Sequence, residues 1–328
     1  MDLWEQVVRF ENLRQAARRA SKGKLKRASV ARFLERLEPN LLRLQRDLTA
    51  SAYLPGAPRQ FLIHDPKTRL ISAAPFRDRV VHHALIGPLE PIFERHMLPH
   101  SFACRKGKGT HAALDHAQKM IRKFEWFQRF DIAACFDSIR HDVVMDAVGR
   151  CVRAPKILAL FRSVIEAGGQ AGKGLPIGSL TSQWSANLVL NRLDHFVFEN
   201  LKCRGYVRYM DDFVLYGRSK EELRELRERL VLYLSSELSL AAKQRAMQLG
   251  RSSDGLPFLG WRLYPRLRRV RPESLRRIRR RLLKSKARIA RGASEEHESP
   301  RVRACIEHLR SGSARPKVRG LVAHPRTV

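Results

Sequence analysis

Cysteines, long apolar runs and acidic residues are all scarce in this chain, and each scarcity closes a class of function. The five cysteines, Cys104, Cys135, Cys151, Cys203 and Cys305, are scattered and form no CxxC pair. That spacing speaks against a disulfide framework or a structural zinc site and suits a reducing cytoplasm. No uninterrupted apolar stretch reaches the roughly 18 residues of a spanning helix, so no membrane partner is expected. The amino terminus, MDLWEQVVRFENLRQ, carries acidic residues where a signal peptide would place its apolar core. Asp and Glu number 32 against 64 Lys and Arg, a formal charge of +32. A globular chain with this much self-repulsion works against a polyanion, and nucleic acid is the first candidate. With 44% hydrophobic residues over 328 positions, the chain is not disordered and can bury a sizeable core.

What is present reads as a mixture of helices and strands. Residues 1 to about 50 show helical periodicity, interrupted by the basic linker SKGKLKR. QFLIHDPKTRLISA reads as a hairpin turning at Asp65-Pro66, and a helix is expected from about Arg77 to Leu89. HSFACRKGKGTHAALDHA is a basic glycine loop entering a helix capped by Thr110. WFQRFDIAAC is a strand ending on an aspartate, and a helix follows from about His141. The glycine-rich GGQAGKGLPIGS opens the apolar helix TSQWSANLVLNRLDHF. A charged helix is expected over residues 219 to 236, then the apolar turn PFLGWRLY. From Trp261 onward 21 Lys/Arg face 5 Asp/Glu, so half the net charge lies in the last 68 residues. Elements in this non-alternating order predict an α+β fold.

The chemistry centres on three aspartates. Asp131 ends its strand, and Asp211 and Asp212 sit at the tip of the hairpin RGYVRYMDDFVLYG. Neighbouring carboxylates repel unless they hold cations or share a proton. Two Mg²⁺ ions about 4 Å apart would clamp the attacking and leaving oxygens of a phosphoryl transfer. A solvated Asp-Asp turn is the alternative that this pair alone leaves open.

The surrounding blocks narrow that choice. YMDD after a strand, with RFDIAACF upstream, resembles the palm of a reverse transcriptase. KTRLIS, SFACRKGKGTHAAL, LPIGSLTSQ and FLGW resemble further blocks of that family, in the family's order. The resemblance covers about residues 55 to 265 and implies a right-hand polymerase. It divides the chain into an N-terminal helical extension (1–54), fingers with the start of the palm (55–130), a palm (131–260) with an inserted fingers segment around 150–175, and a basic helical thumb (261–328).

It also implies roles. Asp131, Asp211 and Asp212 would be catalytic and hold two Mg²⁺ ions, with Mn²⁺ as a substitute. Lys67 and Arg69 would grip the triphosphate of a deoxynucleotide, work suited to guanidinium geometry. Phe136 falls at the steric gate against a ribose 2′-OH. Ile177, Gly178 and Gln183 would line the nucleotide site, and Lys243, with Arg245 competing, would donate a proton to pyrophosphate. Phe258, Leu259, Gly260 and Trp261 would form the primer grip. Arg105, Lys106 and Lys108, with the thumb residues Arg276, Arg279 and Arg280, would bind template RNA and cDNA.

Many relatives carry P-Q-G where this chain has Pro176-Ile177-Gly178. Together with Gln183 in I-G-S-x-x-S-Q, this resembles reverse transcriptases of diversity-generating retroelements, which copy RNA with errors at adenines. That resemblance implies a small basic oligomeric accessory protein and a bacterial or phage origin. Glu295, Glu296 and Glu298 offer one acidic patch for such a partner. The alternatives are a defence-associated or group II intron-like enzyme, or a non-catalytic RNA-binding scaffold.

Overall fold

A computed structural model describes residues 2–64, 68–168, 172–292, 302, 303, 305 and 306. Four amino-terminal helices open the chain: α1 (Leu3–Val8), α2 (Phe10–Ser21), α3 (Ala28–Glu35) and α4 (Leu37–Thr49). A capping box starts α1: the Asp2 carboxylate accepts from Leu3 N, and Asp2 N donates to the Glu5 carboxylate. Leu13, Ala16, Ala17 and Ala20 recur at helical spacing on the buried side of α2, which packs against α5 (Phe76–His96). Strands β1 (Arg59–His64) and β2 (Thr68–Ala73) form the expected hairpin. Its turn, with Asp65-Pro66 and Lys67, lies outside the described residues.

α5 runs well past the expected end at Leu89, continuing through Pro88 and Pro91. Proline in a helix interior normally costs about 3 kcal/mol, but burial of Val80, Val81, Leu85, Leu89 and Phe93 offsets that here. Thr110 is not the cap of α6 (Thr110–Lys123). The preceding Gly109 takes that position at φ 112°, and the Thr110 hydroxyl bonds Tyr209 Oη at 3.1 Å instead.

The central sheet is antiparallel in the order β4 (Gly205–Tyr209), β5 (Asp212–Gly217), β3 (Trp126–Asp131), β6 (Gln248–Arg251). Both faces are covered. Phe130, Phe213, Leu215 and Tyr206 enter the larger core, with α10 (Leu180–His195) and α11 (Lys220–Leu238). Phe127, Val207, Val214 and Tyr216 enter a second core under α6 and the hairpin β7 (Leu256–Phe258)–β8 (Trp261–Leu263). The period-two alternation in β3 and β5 thus sorts side chains between two cores, not between core and water. α10 is buried nearly all round, from Thr181 to Asp194, as a helix at the centre of a domain must be. Short helices α7 (Cys135–Ser138), α8 (His141–Gly149) and α9 (Pro155–Glu166) follow β3, and β9 (Arg268–Val270) and the basic α12 (Pro272–Ala290) end the described chain. No helix among the described residues is long and apolar enough to cross a membrane.

Candidate active site and family

The register of the sheet assembles the acidic residues. Asp131, last in β3, stands opposite Asp212, first in β5, and cross-strand partners share a face. Asp211 occupies the two-residue turn before β5, and its carbonyl accepts from Ile132 N at 3.2 Å. Two non-glycine residues beside these carboxylates take left-handed backbone, Met210 at φ 57° and Ala134 at φ 42°. Such conformations cost about 1–3 kcal/mol each and collect at functional sites.

Two arginines flank the turn. Arg129 lies two residues before Asp131 on the same face, and its Nε and Nη2 each reach a different oxygen of Asp212 at 2.9 Å. On the opposite face Arg208, wholly buried, donates from Nε and Nη2 to Asp194 at 2.6 Å each. Its Nη1 donates to Asn187 Oδ1 at 3.2 Å and to the Met210 carbonyl at 3.3 Å. In the alternation of the hairpin Arg208 reads as a polar position, yet α10 covers that face, so the guanidinium is interior. Burial raises the Asp212 carboxyl to about 6; Arg129 pulls it down, and Asp131 and Asp211 push it up.

The donors suit a hard divalent cation. They are carboxylates, the hard oxygen ligands that such an ion prefers. Among the described residues no three acidic, histidine or cysteine side chains converge into a closed cage. An open carboxylate pair matches an ion that keeps waters and takes further ligands from substrate phosphates.

Backbone hydrogen bonds place other expected residues: one next to Asp131, others along a loop tied to β2. Lys243 N donates to the Asp131 carbonyl at 2.8 Å, with its side chain exposed. The Phe136 carbonyl accepts from Leu175 N at 2.7 Å, joining α7 to the loop that carries Ile177 and Gly178. The Ile177 carbonyl accepts from Ser72 N at 3.3 Å, which ties that loop to β2 and so to exposed Arg69. Gly178 has φ 104°, and a Cβ there would meet Ile71 at 3.4 Å. Gln183 is half-buried in the first turn of α10. Lys67, like Glu295, Glu296 and Glu298, lies outside the described residues.

Three expectations change. Arg105 is not presented to nucleic acid: its side chain is 5% exposed and pairs with both Glu94 oxygens and the Leu98 and Ser101 carbonyls. Lys108 donates to the Pro99 carbonyl and lies over the Phe102 ring, leaving Lys106 as the exposed cation of that loop. In FLGW the Phe258 and Trp261 rings are buried anchors, so only the turn Leu259-Gly260, at φ 47° and 85°, faces outward. Positive φ at both positions is the signature of a type I′ hairpin. Arg276, Arg279 and Arg280 are exposed on α12, while Ile278 and Leu282 are buried on its other side.

The family model for "Reverse transcriptase (RNA-dependent DNA polymerase)" matches residues 63–263 of this chain. The chain belongs to the reverse transcriptase family. Reverse transcriptase domains use divalent metal ions, RNA templates and nucleotides, in keeping with the carboxylate face described above. Among curated relatives, Protein YkfC of Escherichia coli K12 is 26% identical over 70% of this chain and 72% of its own length. The group II intron-encoded protein LtrA of Lactococcus lactis is 22% identical over 68% of this chain, which spans only 49% of LtrA. Apo telomerase from Candida tropicalis shares the fold, with a TM-score of 0.54 at 11% identity over 67% of this chain and 49% of that one. Arg129, Arg208 and Asp194 are the site residues that motif reading passes over. Only the two-residue spacing of Arg129 from Asp131 signals one of them.

Proposed function

We propose that this chain is an RNA-directed DNA polymerase that copies a template RNA into cDNA with two Mg²⁺ ions. The observation that carries the reading is the cross-strand placement of Asp131 beside the Met210-Asp211 turn, inside the span matched by the family. Bound there, divalent cations would lower the pKa of the primer 3′-hydroxyl and neutralise charge on the departing pyrophosphate. The protein's own part is positioning. Arg69, with Lys67, holds the triphosphate; Phe136 closes the space beside the sugar C2′; the Leu259-Gly260 turn supports the primer end. Primer extension on an RNA template tests this. Asp131→Asn and Asp211→Asn should each lower synthesis by orders of magnitude while RNA binding persists. Wild-type extension by either variant would refute the assignment.

The finer reading is error-prone copying at adenines, as in diversity-generating retroelements, and Ile177 supports it. A buried polar group discriminates strongly because a wrong partner leaves it unpaired, whereas an apolar contact separates competitors by about 1–3 kcal/mol. Ile177 sits beside Gly178 on the loop bonded to β2, with only its backbone polar. Ile177→Gln should lower misincorporation opposite adenine several-fold, read by sequencing cDNA from one template. Equal error rates would instead favour the group II intron-like reading that LtrA suggests. Adding the small basic accessory protein should raise template-specific synthesis; full specificity from the chain alone would remove that partner.

A further inference from the structure

We infer that Arg129 divides the labour among the three aspartates: it keeps Asp212 as the anionic half of an ion-pair brace, and divalent cations bind at Asp131 and Asp211. The inference rests on the metal-dependent reading above and reassigns one residue within it.

Geometry is the first support. Arg129 and Asp131 are two residues apart in β3, and Asp212 stands opposite Asp131, so all three side chains leave the same face. The guanidinium meets Asp212 fork to fork, with Nε–Oδ1 and Nη2–Oδ2 both 2.9 Å. Parallel paired bonds of this kind are the strongest and most directional carboxylate contacts that arginine makes. Both oxygens of Asp212 are therefore engaged by one partner. The side chains are 19% and 15% exposed, so water offers little replacement if either turns away. Turning Asp212 toward a cation would strand the Arg129 guanidinium beside that cation, which electrostatics opposes.

Charge is the second support. Asp131, Asp211 and Asp212 all act on the Arg129 guanidinium; alone they would place −3 around it, and with Arg129 the sum is −2. The brace also serves the turn itself. Arg208 holds the Met210 carbonyl from one face, and Arg129 holds Asp212 from the other. Asp211, between them, is the residue whose backbone both contacts fix. A carboxylate fixed in this way needs no reorganisation when a cation arrives.

A charge-balanced exchange tests the inference. The probe is Mn²⁺, titrated into the full chain bound to a dideoxy-terminated DNA primer on an RNA template, with free ion read by electron paramagnetic resonance. Arg129→Gln/Asp212→Asn replaces the ion pair by a neutral amide pair of similar shape and leaves the net charge of the face unchanged. Its Mn²⁺ affinity should stay within about threefold of wild type, whereas Asp211→Asn should weaken it by about thirtyfold, on the scale of lost metal-site support. Arg129→Gln alone removes the partner that holds the Asp212 carboxylate ionised against burial, so the brace is lost and synthesis should fall. Arg129→Lys, which keeps charge but loses the fork, should recover part of that synthesis. If the double variant loses Mn²⁺ as severely as Asp211→Asn, Asp212 is a ligand and the inference is wrong. If Asp131→Asn and Asp211→Asn leave Mn²⁺ binding unchanged, the metal-dependent reading itself fails.

Discussion

Replacing Arg208 by methionine removes a wholly buried charge and leaves its partner behind. Four hydrogen bonds go: two to Asp194, one to Asn187 and one to the Met210 carbonyl. Arg208 and Asp194 are both fully buried, and Asp194 retains only the Tyr206 hydroxyl at 2.7 Å. Breaking a buried pair from one side costs about 3–5 kcal/mol. That is a large part of the 5–15 kcal/mol that typically holds a domain folded. Arg208→Met should therefore lower the melting temperature by roughly 5–15 °C. Arg208→Met/Asp194→Leu removes both charges and should regain at least half of the lost stability, because an apolar pair of similar volume is often neutral or better. Activity should behave differently. The Met210 carbonyl has lost its guanidinium in both variants, so the double variant should fold well yet extend a primer poorly. Thermal denaturation followed by circular dichroism, beside primer extension on the same preparations, reads both quantities. A loss below about 1 kcal/mol for the single variant would refute the energetic reasoning. Full activity in the double variant would refute the link to the turn.

Phe136→Ala should raise ribonucleotide incorporation relative to deoxynucleotide; an unchanged ratio in single-nucleotide extension would place the gate elsewhere. Burial holds His82 neutral with its pKa lowered from 6.5 to about 4, reinforced by His83 and Arg79 and opposed by Asp78. The unfolded chain therefore takes up a proton first on acidification, and stability present above about pH 6.5 is lost by about pH 4, roughly 3 kcal/mol at this site. His82→Asn should flatten the pH dependence of denaturation by that amount, and an unaltered profile would exclude His82 as its source. Neutralising Arg276, Arg279 and Arg280 together should reduce the slope of log affinity against log salt for a primer–template by up to about three charges' worth. An identical slope would mean that α12 does not track the duplex.

Local order carried much of this protein into legibility. Helical periodicity marked the amino-terminal helices, turn residues marked the β1–β2 hairpin, and the strand before Asp131 ends where the chain's own pattern puts it. The Asp211-Asp212 pair and Asp131 left two-metal chemistry open, and the ordered blocks around them, which resemble those of reverse transcriptases, implied a polymerase before any fold was drawn. Helix α5 extends to His96, past the expected end at Leu89, because burial of Phe93 on its core side carries it through Pro91. Arg105 was expected at the nucleic acid and Arg208 was passed over for one shared reason. A basic residue announces its charge in sequence, but whether it meets a phosphate, Glu94 or Asp194 depends on which distant helix covers its face. The same holds for Arg129 and Asp212, which are 83 positions apart and meet only through the register of β3 against β5. Composition pointed to a polyanionic partner, and the resemblance of the ordered blocks implied the kind of chemistry. That Arg129 pairs with Asp212 was decided by strand register and burial, since only these set the distances over which charges act.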